Sequence, residues 1–121
     1  MKFKEFYERY PLVYSESKGI SAKTILFYNH YDVQPVDPID QWHYPPFQPT
    51  ERDGYIFGRG VSDDKGHLVA RIAAIQAFTA VRGELPCTIK FFVEGAEEIG
   101  SPGIRTFVET HQDLLKADVC I

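Results

Sequence analysis

One apolar run constrains the fold of this chain more than any other feature. Residues 23–29, KTILFYN, are continuously apolar in their middle and do not alternate with polar residues. Such a run is typical of a strand buried on both faces, which occurs mainly where helices cover both sides of a parallel sheet. The chain is therefore predicted to be an α/β protein built around this strand.

The elements that follow alternate between helix and strand. Residues 65–82 are predicted to be a helix that Gly83 ends, and residues 87–95, CTIKFFVEG, predict a second strand. Ser101 and Pro102 are typical of a helix start, a capping residue followed by proline in the first turn. Residues 117–121, ADVCI, are predicted to begin another strand. This alternation predicts a largely parallel sheet with helices on both faces. Five side chains of the first helix share the spacing of a buried stripe: Leu68, Val69, Ile72, Ile75 and Thr79.

The remaining segments are expected to be shorter or irregular. Residues 2–8 and 12–17 have the composition of short strands. Residues 35–50 are too rich in proline for regular structure. The stretch DGYIFGRG predicts a turn, a short strand and an exit that hinges on glycine.

Composition excludes several classes of protein. With 44% hydrophobic and 25% charged residues, the chain reads as a soluble globular domain. A net charge of −4 and the absence of any Lys/Arg cluster argue against a nucleic-acid partner. No apolar stretch approaches the roughly 20 residues of a membrane span, and the first residues lack the apolar core of a secretory signal. Cys87 and Cys120 lie in strand-like runs and are expected to be buried, reduced thiols, which favours a cytoplasmic location.

Three polar clusters follow predicted strands. They are NHYD after the first buried strand, SDDKG after the short strand, and EGAEE after the second buried strand. In open α/β sheets, ligands bind beyond the carboxyl ends of the strands. We therefore expect the three clusters to converge at one edge of the sheet.

The side chains of these clusters favour metal chemistry. A single imidazole among many carboxylates is a poor setting for nucleophilic catalysis, and no serine lies in a G-x-S-x-G turn. Crowded carboxylates repel one another unless a cation lies among them. Imidazole with carboxylate suits zinc, manganese or cobalt, and two ions could share one bridging carboxylate. The candidate residues are His30, Asp32, Asp63, Asp64, Glu94, Glu97 and Glu98.

Each candidate also has a purely structural alternative. His30 and Asp32 could be a polar strand end and its turn, and Asp63 could cap the following helix. Glu97 and Glu98 could be a solvated surface pair. For Asp64 and Glu94 the structural role is the favoured interpretation, with Glu94 as a hydrogen-bonding support. The other histidines are expected to lie outside the site: His43, His67 and His111.

Taken together, NHYDVQP, GRGVSDDKG and EGAEEIGSPG resemble, in this order and spacing, the zinc-dependent M20 peptidases. The resemblance runs from about residue 10 to the end, and it is strongest to the carnosinase-like and cytosolic dipeptidase branch. It implies a two-metal hydrolase that cleaves the amide bond of dipeptides or short peptides through a metal-bound water. The alternative is an N-acyl-amino-acid deacylase of the acetylornithine or succinyl-diaminopimelate type.

The resemblance also implies a role for each matched residue. His30 would bind one ion, Glu98 the other, and Asp63 would bridge the two. Glu97 would be the general base and Asp32 would orient His30. The two divalent ions would be zinc, with manganese or cobalt as alternatives. A cis peptide bond is implied between Asp63 and Asp64.

Other features of the family have no counterpart in these residues. M20 peptidases supply a further carboxylate ligand beyond the strand that here reads DVCI, a distal histidine, and a lid domain through which they form homodimers. The resemblance therefore implies that residues 1–121 are the amino-terminal part of a catalytic domain, inactive by themselves. A departure at Ala96, where many relatives carry Glu or Met, touches none of the matched residues. A non-catalytic fragment or a binding protein that has lost catalysis remains the alternative of a different class.

Overall fold

The computed structural model describes residues 2–6 and 9–121, and its centre is a mixed five-stranded sheet. The strands of this sheet are Lys2–Phe6 (β1), Leu12–Ser17 (β2), Thr24–His30 (β3), Thr88–Glu94 (β6) and Val119–Cys120 (β7). A separate hairpin consists of Thr50–Arg52 (β4) and Tyr55–Phe57 (β5). The helices are Gly66–Arg82 (α1), Ile104–Thr110 (α2) and Gln112–Leu115 (α3). Shorter helical turns cover Ile39–Gln41, Val61–Lys65 and Glu97–Ile99.

The strand order in the sheet is β1-β2-β6-β3-β7. The neighbours β6, β3 and β7 run parallel, whereas β2 is antiparallel to both β1 and β6. The prediction of a largely parallel sheet is confirmed, with the β1–β2 hairpin as its antiparallel margin. The predicted strand over residues 2–8 is present as β1, and its last two residues lie outside the described part of the chain.

Helices cover both faces of the sheet, as predicted. On one face, Leu68 and Ile75 of α1 pack with Phe91 and its neighbours on β6 and β3. On the other face, the ring of Phe107 from α2 stacks on Phe92 with ring centroids 5.3 Å apart. All seven residues of β6 are buried, because this strand lies in the centre of the sheet beneath both layers.

The apolar stripe of α1 is less buried than its spacing predicted. Leu68 and Ile75 contact the sheet, but Val69 is 64% exposed and Ile72 borders an open apolar groove beside β2 and β6. Thr79 is also exposed, and its hydroxyl bonds the carbonyl of Ile75 within the helix. The helix contacts the sheet along a narrow strip, so only the side chains on that strip are shielded from solvent. Gly83 ends the helix with a φ of 79°, as expected for a glycine at this position.

The second predicted helix is divided and starts later than expected. His111 interrupts it between α2 and α3, with φ −125°. Ser101 does not cap it, because this residue has a φ of 50° and its hydroxyl donates to Glu94 at 2.8 Å. Lys90 holds the end of α3 against β6 by donating its amine to the carbonyls of Leu114 and Lys116, both at 2.7 Å.

Two further expectations are corrected. The strand in DGYIFGRG pairs only with β4, so the SDDKG segment does not follow a strand of the main sheet. Cys120 is exposed because β7 is the outermost strand of the described sheet, and Cys87 is only partly buried. Both thiols are free. Among the residues described, no helix combines the length and the apolar composition that a membrane span requires.

Candidate metal centre

The carboxyl ends of β3 and β6 place two of the polar clusters side by side. His30, the last residue of β3, lies opposite Glu94, the last residue of β6, in the parallel register. The chain leaves β6 through Gly95 and forms a short helical turn that carries Glu97 and Glu98. The predicted convergence of these two clusters follows from neighbouring parallel strands ending at the same level.

The third cluster reaches the same edge by a different path. A helical turn over Val61–Lys65 precedes α1, and Gly60 opens it with a φ of 80°. Within the turn Asp63 has an extended backbone, with φ −130° and ψ 99°, and the Asp63–Asp64 peptide bond is cis, as the family resemblance implied. The Asp63 side chain meets the end of β3, where its carboxylate contacts His30.

The carboxylates gather around one imidazole. The Oδ1 atom of Asp63 lies 2.8 Å from Nε2 of His30, and Oε2 of Glu97 lies 3.8 Å from the same nitrogen. One ligand atom each from His30, Glu97 and Glu98 falls within 4.8 Å of the others. The structure therefore brings together His30, Asp63, Glu97 and Glu98 as the sequence predicted.

His30 is held so that one nitrogen faces this cluster. Its side chain is only 7% exposed, and Nδ1 lies 3.1 Å from the carbonyl oxygen of Asp32. Because a carbonyl only accepts, Nδ1 carries a proton and Nε2 is the nitrogen free to bind an ion in the neutral ring. Burial lowers the pKa of His30, but hydrogen bonds to Asp63 and to the Asp32 carbonyl, with the charges of Asp63 and Glu97, outweigh it and leave this pKa raised. A cation at Nε2 would therefore compete with a proton.

Asp32 has a wider role than the sequence indicated. Its carboxylate lies 3.3 Å from Nδ1 of His30, farther than its own backbone carbonyl. The carboxylate also accepts from the backbone N–H of Glu97 at 3.2 Å and of Glu98 at 3.0 Å. Asp32 thus links the histidine to the turn that carries both glutamates. The sequence gives no indication of these hydrogen bonds, because Asp32 lies 65 residues before Glu97 and 66 residues before Glu98.

Removal of the Asp32 carboxylate should loosen the glutamate turn. In the metal-free protein, Asp32→Ala is expected to speed backbone amide exchange at Glu97 and Glu98 about tenfold or more, because hydrogen bonds to a charged group contribute about 1.5–3 kcal/mol. Hydrogen exchange followed by NMR measures this directly. Gln34→Ala is the matched control, because Gln34 donates to the Glu98 carboxylate at 2.6 Å and to the Glu98 carbonyl at 3.4 Å, whereas both backbone N–H groups donate to Asp32. Equal exchange in Asp32→Ala and the unmodified protein would contradict the assignment.

Asp64 and Glu94 lie behind the cluster as supports. Asp64 accepts from the side-chain amide of Asn29 at 2.6 Å and from the backbone N–H of His30 at 3.2 Å. Burial raises the pKa of Asp64, but these donors and His67 outweigh it and hold the pKa below its usual range. The carboxylate of Glu94 is buried and accepts from the hydroxyls of Tyr28 and Ser101. The expectation that Glu94 is a hydrogen-bonding support is confirmed.

The other basic and aromatic candidates lie outside the cluster. His111 stacks on Phe107 with ring centroids 4.2 Å apart, and His67 is an exposed partner of Asp64 at 2.9 Å. Arg59 contacts no carboxylate within the described residues, since it donates to the carbonyl of Pro35 and lies over the Trp42 ring. His43 lines a loop cavity beside Trp42. Sequence reasoning missed Asn29, Gln34 and Arg71, whose side chains contact the site residues or their supports.

The donor set fits a divalent metal. A neutral imidazole nitrogen and three carboxylates are the ligands that zinc and similar ions take from proteins. Closely spaced carboxylates repel one another in the absence of a cation, and here the imidazole of His30 and the amide of Gln34 partly offset them. Within the described residues, His30, Glu97 and Glu98 each offer an atom close enough to the others to share an ion, and Asp63 lies beside His30.

Comparisons with known proteins agree with this chemistry. Residues 26–121 match Peptidase family M20/M25/M40. The human protein named "Beta-Ala-His dipeptidase" is 43% identical over 104 residues, which is 85% of this chain and 20% of the relative. A succinyl-diaminopimelate desuccinylase from Methylobacillus flagellatus is 40% identical over 94 residues, 77% of this chain and 25% of the relative.

A solved structure matches nearly the whole chain. The M20 family metallo-carboxypeptidase Sso-CP2 from Sulfolobus solfataricus superimposes with a TM-score of 0.88 and 43% sequence identity, covering 98% of this chain and 28% of that protein. The chain thus spans between an eighth and about a quarter of the length of the relatives it matches. It belongs to peptidase family M20/M25/M40, a family of metal-dependent enzymes.

Proposed function

We propose that these residues form part of a two-metal hydrolase that cleaves the amide bond of dipeptides or short peptides. The observation that carries the proposal is the cluster of one buried imidazole and three carboxylates at the carboxyl edge of the sheet. The relatives named as dipeptidases, each about 40% identical to this chain, support the same reaction class.

The metal ligands in this proposal are His30, Asp63 and Glu98. His30 would offer Nε2 to one ion, Glu98 would offer its carboxylate to a second, and Asp63, which contacts Nε2 of His30, would bridge the two. We propose zinc for both ions, with manganese or cobalt as alternatives, because imidazole and carboxylate suit all three. Bound ions of this kind polarise the scissile carbonyl and lower the pKa of water.

The proposed general base is Glu97. Its carboxylate is 42% exposed and lies 3.8 Å from the nitrogen of His30, so it faces both solvent and the ligand cluster. From this position Glu97 takes a proton from the attacking water and returns it to the leaving amine. Asp32 holds the amide of Glu97, which restricts where that carboxylate can move.

The choice of substrate separates two versions of this function. The identity to a named Beta-Ala-His dipeptidase favours dipeptides, while the identity to a named desuccinylase keeps N-acyl amino acids as the second candidate. The test is to assay the full-length protein, loaded with zinc, manganese or cobalt in turn, on dipeptides beside N-acetyl and N-succinyl amino acids. A preference for dipeptides supports the proposal, and turnover of N-acyl amino acids alone would replace it with the deacylase.

The proposal also covers the extent of the catalytic domain, the oligomeric state of the full-length protein and its location in the cell. We propose that residues 1–121 are the amino-terminal part of the catalytic domain, supported by relatives several times longer than this chain. The resemblance to M20 peptidases supports a homodimer of the full-length protein formed through a further domain. The free thiols of Cys87 and Cys120 support a cytoplasmic location.

A further inference from the structure

Two adjacent aspartates have opposite environments in the candidate metal centre. The side chain of Asp63 is 74% exposed and contacts Nε2 of His30. The side chain of Asp64 is 14% exposed and accepts three hydrogen bonds from protein groups. The two residues have the same chemistry, so the surrounding groups determine which carboxylate faces the ligand cluster.

Asn29 is a buried side chain in contact with Asp64. It is 1% exposed and directly precedes His30 at the end of β3. Its amide nitrogen donates to Oδ2 of Asp64 at 2.6 Å, and its amide oxygen accepts from Nη1 of Arg71 at 2.7 Å. A guanidinium only donates and an ionised carboxylate only accepts, so these two partners fix the orientation of the amide. Aspartate at this position could accept from Arg71 but could not donate to Asp64, and leucine could form neither hydrogen bond.

Arg71 anchors this amide from the far side. Its Nη1 also donates to the backbone carbonyl of Tyr28 at 2.7 Å, and its guanidinium lies 5.0 Å from the centre of the Phe27 ring. Arg71 lies in α1, and Asp64 lies in the turn just before this helix. Asn29 therefore lies between a fixed arginine and the carboxylate it holds.

We propose that Asn29, anchored by Arg71, is a positioning residue that captures Asp64 and so leaves Asp63 as the carboxylate presented to the metal ions. The backbone N–H of His30 donates to the same oxygen of Asp64 at 3.2 Å, so the capture also joins the ends of β3 and the Asp63 turn. This inference rests on the proposed function, because it concerns the ligands of that metal site.

Asn29→Asp provides the main test in the full-length protein. It removes the donor to Asp64 and places a second carboxylate against it, which should release Asp64 toward the site. We expect zinc affinity to fall about 10- to 100-fold, the range for residues that support metal ligands. The visible absorption spectrum of the cobalt-loaded protein should also change, because it reports the ligand set and a loss of stability alone would leave it unchanged.

A double variant tests the hydrogen-bond pattern itself. In Asn29→Asp with Asp64→Asn, the amide nitrogen at position 64 can donate to the carboxylate at position 29, and that carboxylate can still accept from Arg71. The same nitrogen replaces the oxygen that accepts from the backbone N–H of His30, so this one bond is lost. Zinc affinity should therefore recover part of the loss seen in Asn29→Asp, and the cobalt spectrum should return toward the original. Ile89→Val, a buried change at the opposite end of β6, is the control for a mild loss of packing and should leave both readouts unchanged.

Arg71→Met keeps the inference testable if Asn29→Asp does not fold. It removes the anchor without burying another charge, and zinc affinity should fall on the order of tenfold. Unchanged affinity and spectrum in folded Asn29→Asp or Arg71→Met would overturn the positioning role while leaving the metal site in place. A folded double variant that binds zinc no better than Asn29→Asp would also overturn it. If the unmodified protein binds no zinc or cobalt, the proposed function itself fails.

Discussion

Glu97→Gln is expected to remove most turnover of the full-length enzyme while metal binding stays nearly unchanged. The amide of glutamine cannot accept a proton from water, and a positioned general base contributes roughly 10²- to 10⁴-fold to the rate. Glutamine has almost the same size, and the backbone N–H of residue 97 still donates to Asp32. Measurements of kcat on a dipeptide and of metal content by elemental analysis test both halves of the expectation.

The matched control for this variant is Glu98→Gln. Glu98 is adjacent in the same turn and its amide is held by the same carboxylate, so the two changes perturb the backbone equally. As a proposed ligand, Glu98 should lose metal affinity, and added metal should restore part of its turnover. Equal loss of metal in both variants, with normal turnover of Glu97→Gln once metal is restored, would show that Glu97 is not the base.

Residues 1–121 by themselves are expected to hydrolyse dipeptides at least about tenfold more slowly than the full-length protein. The reason is the number of ligands. In the proposed site, one ion would have His30 and Asp63 and the other would have Asp63 and Glu98, so each would have two protein ligands among the described residues. Catalytic zinc sites generally use three and leave one position for water. Weak metal binding then leaves the water that Glu97 would deprotonate without the ions that activate it.

The test compares purified residues 1–121 with the full-length protein after addition of zinc, manganese or cobalt. Circular dichroism on the same samples establishes that the shorter chain is folded, so that low turnover reflects the site. A folded fragment with turnover within tenfold of the full-length protein, a barrier difference of about 1.4 kcal/mol, would show that the ligand count is wrong.

Much of the fold followed from local patterns in the sequence. The apolar run of β3, the helical spacing of α1 and the composition of β6 predicted the parallel core and the two helical layers. The antiparallel placement of β2 was not predictable, because it depends on pairing with β6 about 80 residues later. The position of β5 was also wrong, since a three-residue strand contains no signal for the sheet it joins.

The residues of the site were easier to predict than their supports. Polar side chains directly after strands mark the sheet edge, so His30, Glu97 and Glu98 could be found from spacing. Hydrogen bonds between distant segments leave no such pattern. In the sequence, Asn29 looks like an ordinary polar residue at the end of a strand. Arg71 looks like an ordinary charged residue on the surface of a helix. Their contacts appear only when α1 packs beside β3.

The central position of β6 imposes an order on how this protein folds as it is synthesised. β2 and β3 are consecutive in the chain, yet each pairs with β6, which lies between them. A nascent chain that has emerged only through α1 therefore contains His30 and Asp63 but has no sheet joining β2 to β3. The sheet closes when residues 88–94 insert, and Glu97 and Glu98 follow within four residues. Such non-local pairing is slow compared with helix formation. The proposed ligands His30, Asp63 and Glu98 therefore come together only after the central strand has inserted, so a ribosome-bound intermediate that lacks this sheet also lacks the complete proposed site.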